Sequence, residues 1–242
     1  MYHQFSVVET IETSWNIFKK NFITIIVYSF IAFILLAVLE GVIEYIIAPE
    51  EFTGKMIFWL LLIFVQAYTT LGLYKLFFTL IDSEFYEFEF NQVLPHIRMI
   101  LSYLAVVFIL AFIFVTFNIL LDKLSAYPVI EFIVEVLGII VGLFLVLRVM
   151  FFNTFIVDDR SGPIESLRQS FQLTKGYLLK IVLILGIILL LIALPAIISQ
   201  YYPFISLIII FTYPFVNIIL AVTYRKLVYS HLDVDDDIAE TN

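Results

Sequence analysis

The chain has 242 residues, of which 63% are hydrophobic, 17% aromatic and only 14% charged, and its mean hydropathy is +1.08. Soluble domains are about half apolar and about a quarter charged, so a chain with 26 Phe and so few charges cannot cover its surface with polar groups, and lipid is the implied solvent. A formal net charge of −8 argues against the basic stripe that a nucleic-acid partner requires, and the absence of Cys excludes disulfides, thiolate catalysis and Cys-ligated metals.

Residues 4–20 read as an amphipathic interfacial helix. Ser6 and Glu9 stand at capping-box spacing, and Phe5, Val8, Ile11, Trp15 and Phe18 form one apolar stripe. Glu9, Glu12 and the long apolar run that follows predict that this start is not a cleaved signal peptide. Six apolar segments come next, at 22–47, 56–81, 99–121, 129–152, 177–199 and 205–224. Each is near the length of about 20 residues that a helix needs to cross a hydrocarbon core about 30 Å thick. Alternating strands of about ten residues, the mark of a barrel, are absent. The expected fold class is therefore all-α: a single polytopic membrane domain of six transmembrane helices arranged as three hairpins, with cytoplasmic amphipathic interfacial helices.

Two further segments read as interfacial helices. One lies around Glu84 to Arg98 and contains Pro95. The other covers 163–175, with Pro163 at a natural first helical position, Ile164, Leu167 and Phe171 facing one way, and Gly176 as its stop. The end of the chain, 233–242, is acidic and is expected to be a solvated, disordered tail. Orientation follows from Lys and Arg. With the N-terminus inside, eleven cations fall at cytoplasmic ends or loops, and only Lys55 and Lys123 fall outside. The chain is thus expected in a bacterial inner (plasma) membrane with both termini cytoplasmic.

The first and third interfacial helices match at an offset of 156 residues: Glu9 with Glu165, Thr10 with Ser166, Ile11 with Leu167, Ser14 with Ser170, Trp15 with Phe171, Asn16 with Gln172 and Lys19 with Lys175. Each leads into an outward-going span, which predicts a repeating unit of interfacial helix plus hairpin in one orientation. This differs from the inverted repeats of many secondary transporters. Over Phe155 to Gly176, the residues Gly162, Pro163, Ser166, Ser170, Leu173, Thr174, Lys175 and Gly176 resemble a motif of a bacterial six-helix membrane family. That family includes the membrane domain attached to some glycerophosphoryl diester phosphodiesterases, and Ser14-Trp15 and Phe18-Lys19 fit its opening. The resemblance implies a six-helix fold. No soluble phosphodiesterase domain accompanies it here, and it implies no catalytic residue.

Candidate sites fall in three places. Arg160, Gly162, Arg168 and Lys175 can bind a phosphate or an anionic lipid headgroup, or simply rest on anionic lipid. Gln66, Asn118 and Asn217 are polar positions within spans, and Arg148 lies near a span end; they can line a cavity, make interhelical hydrogen bonds or, for Arg148, snorkel. Glu40 and Glu44, with Glu131 and Glu135, share helix faces in pairs on the predicted outer rim, beside Glu50, Glu51 and Asp122. They form either a cation-concentrating mouth or a solvated edge. His3, His96 and His231 are scattered, and no metal or cofactor is expected. Two functions follow: a non-enzymatic, lipid-contacting or accessory scaffold with membrane lipids, and also protein partners or a second copy, as neighbours; or a small transporter with a polar cavity between spans two, three and six.

Overall fold

In the computed structural model, residues 5–45, 52–82 and 93–240 are described, and they are helical with no strand among them. The helices are α1 (Val7–Lys20), α2 (Phe22–Tyr45), α3 (Phe52–Asp82), α4 (Ile97–Leu124), α5 (Pro128–Val149), α6 (Phe152–Asp158), α7 (Pro163–Leu173), α8 (Leu178–Ser199) and α9 (Ile209–Glu240), with a 3-10 turn at Pro203–Ile208 before α9. Five stretches are long and apolar enough to cross a membrane: Phe22–Glu44, Thr53–Asp82, Ile97–Leu124, Pro128–Asp158 and Leu178–Ser199. The chain is a multi-pass, all-α membrane protein. The expected sixth span, 205–224, begins as the 3-10 turn and becomes α-helical only at Ile209. Its apolar section carries Thr212, Tyr213, Pro214 and Asn217 and closes at Arg225.

α2 packs on α3, α3 on α4 and α4 on α5, while α9 packs against α1, α2, α3 and α8. The fixed core lies toward one end. There α3 buries Leu71, Tyr74, Leu76 and Phe77, α6 buries Phe155, Ile156 and Val157, and α9 buries Ile218, Ile219, Val222, Tyr224 and Leu227. α1, α6 and α7 surround this core as a collar. By contrast, α5 buries only Leu147 among its 22 residues, and most large side chains toward the far ends of α4 and α5 are exposed. Such surfaces are stable only with hydrocarbon around them.

The apolar stripes of the interfacial helices are divided: Phe5 and Phe18 are buried, whereas Val8, Trp15, Ile164 and Phe171 are exposed. The face that packs inward is small and hydroxylated, with Thr10 and Ser14 on α1 and Ser166, Ser170 and Thr174 on α7 fully buried. Short side chains allow close helix approach, and their hydroxyls bond to carbonyls of their own helix, Thr10 to Ser6, Ser14 to Thr10 and Ser166 to Pro163. Thr10 and Ser14 therefore occupy the same register as Ser166 and Ser170, in agreement with the 156-residue repeat. The second interfacial segment lies mostly outside the described residues, and α4 begins at Ile97, just after the buried Pro95.

The fourth span, expected as 129–152, breaks at Met150 and Phe151 and resumes as α6. The cause is the Ser170 hydroxyl, which accepts from the Phe151 N–H at 3.1 Å and donates to the Arg148 carbonyl at 2.8 Å. A side chain inserted into the ladder is a standard origin of a sharp bend. The acidic tail differs too: the α9 backbone stays helical to Glu240, because no Gly or Pro follows Pro214 to stop it. Gly176 ends the collar as predicted, with φ +90° in the left-handed region.

The paired small residues Gly138 and Gly142 separate in role. A Cβ on Gly138 would meet the Phe117 ring at 2.0 Å, whereas one on Gly142 would meet nothing within 4 Å. Gly138 thus sets the approach of α5 to α4, and Gly142 does not. Gly138→Ala is expected to destabilise by about 1–3 kcal/mol through overpacking, while Gly142→Ala stabilises by up to about 1 kcal/mol from helix propensity. Thermal unfolding of the purified variants in micelles checks the opposite signs.

Candidate functional site: the collar and the membrane-embedded cavities

The ends of α3 and α6 meet α9 at the collar through one guanidinium. Arg225 of α9 donates from Nη2 to Asp82 Oδ2 of α3 at 2.6 Å and from Nη1 to Asp158 Oδ2 of α6 at 2.9 Å. The same Asp158 oxygen accepts from the Tyr224 hydroxyl at 2.8 Å, and the Phe78 ring lies 4.7 Å below the guanidinium carbon. α3 has 31 residues, about 46 Å of helix, so its Asp82 end projects beyond the hydrocarbon and reaches this cluster. A planar guanidinium presents two terminal nitrogens in fixed geometry and so serves two acids at once. Next in the chain, the Asp159 carboxyl is raised above its ordinary range, first by burial and then by the charge of Asp158.

Further cations fasten the collar to the bundle. Lys226 pairs with Glu9 at 2.5 Å, joining α9 to α1. Lys180 of α8 donates to the Phe5 carbonyl at 2.5 Å, with the Phe5 and Tyr177 rings alongside. Lys75 donates to the Leu94 carbonyl at 2.7 Å. Trp15 and Phe18 of α1 pack on Phe215 of α9.

Among the predicted anion-binding residues, Arg160 is exposed and takes φ 56° in the turn between α6 and α7. Gly162 is the N-cap of α7, and its N–H already donates to the Glu165 carboxylate at 3.4 Å. That negative charge occupies the helix start and weakens it as a phosphate seat. Arg168 and Lys175 are exposed, on α7 and in the turn after it. The four thus supply an outward positive face rather than one closed pocket.

The predicted cavity residues do not share a cavity. Arg148 is held at the collar, stacked between the Phe144 and Phe171 rings at 5.2 and 4.7 Å, and donates to the Thr174 hydroxyl at 3.2 Å. Asn118 is exposed and donates to the Phe114 carbonyl of its own helix. Gln66 lines a cavity of about 250 Å³ between α2, α3 and α9, whereas Asn217 lines one of about 490 Å³ between α8 and α9. The rim carboxylates Glu40 and Glu44 stay on α2, and Glu131 and Glu135 on α5. Among the described residues, no three His, Asp or Glu side chains gather into a group able to hold a metal.

Sequence reasoning missed the Asp82, Asp158 and Arg225 cluster. A signal was present: α3 and α6 both close on an aliphatic pair followed by Asp, Leu80-Ile81-Asp82 and Ile156-Val157-Asp158. Comparison of the chain with protein-family models, curated proteins and solved structures finds no match.

Proposed function

We propose that this chain is a non-enzymatic, lipid-contacting accessory or scaffold protein of a bacterial inner (plasma) membrane, crossing it six times with both termini cytoplasmic and the collar against the inner leaflet. The carrying observation is the facing of α1 and α7: hydroxyl stripes turned into the bundle, with Val8, Trp15, Lys19, Ile164, Arg168, Phe171 and Lys175 turned out. Large apolar and cationic side chains on the outer surface of a helix at a membrane boundary are what headgroups and upper acyl chains accept. The sequence motif of 155–176, with its resemblance to a six-helix membrane family, supports the same reading. A transporter using a polar cavity between spans two, three and six has less support, because Gln66, Asn118 and Asn217 face three different surroundings.

Trp15 and Trp59 are the two tryptophans of the chain, so Trp59→Phe leaves Trp15 as sole reporter. In vesicles containing brominated lipids, Trp15 fluorescence is expected to be quenched most by bromine on the upper acyl carbons. Quenching by aqueous iodide alone would sink the interfacial placement. The triple variant R160Q/R168Q/K175Q is expected to lower the preference for phosphatidylglycerol over phosphatidylcholine by at least about tenfold, since each cation near an anionic surface contributes about 1 kcal/mol.

A further inference from the structure

The cavity between α2, α3 and α9 carries Tyr28, Ser29, Gln66, Thr69, Thr70 and Tyr213 among aliphatic neighbours. Some of this polarity is internally satisfied: the Tyr28 hydroxyl donates to the Thr69 carbonyl at 3.0 Å, and the Thr69 hydroxyl bonds to the Val65 carbonyl. Ser29 and Gln66 are different. The Ser29 hydroxyl is buried with no hydrogen-bond partner among the described residues, and Gln66, an exposed residue of α3, lines the same cavity. Both lie in apolar stretches well inside their spans, where water does not compete and an unpartnered polar group costs several kcal/mol. Replacing either with an aliphatic residue would relieve that cost, so their polarity is not explained by packing.

A second cavity, of about 470 Å³, continues from the first. The two share Tyr28, Ala32 and Thr69, and the second runs between α2 and α3 toward Leu94 with a nearly continuous aliphatic wall. Among the described residues, no Asp, Glu, Lys or Arg lines either cavity. A charged ligand would enter hydrocarbon without a counter-charge, whereas a neutral one meets complementary surroundings. A hydroxyl both accepts and donates, and so pairs at once with the Gln66 amide N–H and the Ser29 oxygen.

We infer that these joined cavities bind a neutral lipid bearing a free hydroxyl, its polar group between Ser29 and Gln66 and its chain along the aliphatic groove. This site is separate from the collar and does not depend on the function proposed for it. The test uses the full-length protein in nanodiscs with a photoactivatable diazirine derivative of hexadecanol. Crosslinks are expected on α2, α3 and α9, and excess hexadecanol competes at least tenfold better than hexadecane or palmitate. In S29A/Q66L, apparent affinity falls at least tenfold, and the melting temperature without ligand stays level or rises. Asn118→Leu, on the lipid-facing side of α4, leaves binding unchanged. Labelling spread evenly over α4 and α5, equal competition by hexadecane, preferential competition by palmitate, or undiminished labelling of S29A/Q66L would each overturn the assignment.

Discussion

Arg225→Met is expected to destabilise the folded protein by about 2–3 kcal/mol. Removing one partner of a well-buried ion pair costs about 3–5 kcal/mol, because the other charge is left uncompensated. Here the side chains of Arg225 and Asp158 are 17% and 21% exposed but that of Asp82 is 49% exposed, which lowers the figure. Asp158 keeps the Tyr224 hydroxyl but loses its cationic partner, with Asp159 adjacent. Asp82→Asn, on the exposed arm, is expected to cost under about 1 kcal/mol. The triple variant R225M/D82N/D158N should recover most of the loss, since apolar or neutral replacements of a whole buried charge group are often close to neutral. Arg225→Lys should recover little, because an ammonium cannot reproduce the fork. Denaturant unfolding in micelles measures all four; a loss for Arg225→Met no larger than that for Asp82→Asn would refute the clamp.

The second large effect separates two residues that occupy the same register of the repeat. Ser170→Ala is expected to cost about 2–3 kcal/mol, because the Phe151 N–H and the Arg148 carbonyl both lose their partner at the break between α5 and α6. Ser14→Ala should cost under about 1 kcal/mol, since its hydroxyl only doubles on the Thr10 carbonyl within its own helix. Hydrogen exchange gives the sharper readout: in the Ser170→Ala protein the amides of α6 should exchange faster while those of α3 remain protected. Equal losses for the two alanine variants would remove Ser170 as the splice.

These results bear on what the sequence made legible. Spans in lipid are set by length and hydropathy, properties local to a segment, so five of the predicted spans emerge as helices that can cross, most shifted at one end or both by a few residues. The repeat was legible for a similar reason, since helices in equivalent places keep equivalent small residues: Thr10 with Ser166 and Ser14 with Ser170. Which face packs against the bundle was not legible, because in a bilayer an apolar stripe can be satisfied by lipid and the scarce close-packing residues are the hydroxylated ones. The break at Phe151 could not be read locally, as the residue that causes it lies on α7. Arg225 counted only as a topological cation for the same reason: its acids come from the ends of two other helices.

With Leu147 the one buried residue of α5 and most large side chains toward the far ends of α4 and α5 exposed, the molecule resembles a bouquet bound at its stems. The spacing of the blooms is then set by lateral pressure in the surrounding lipid, so a change in membrane tension or acyl-chain order is expected to alter the splay of the helices while the binding at the stems stays intact.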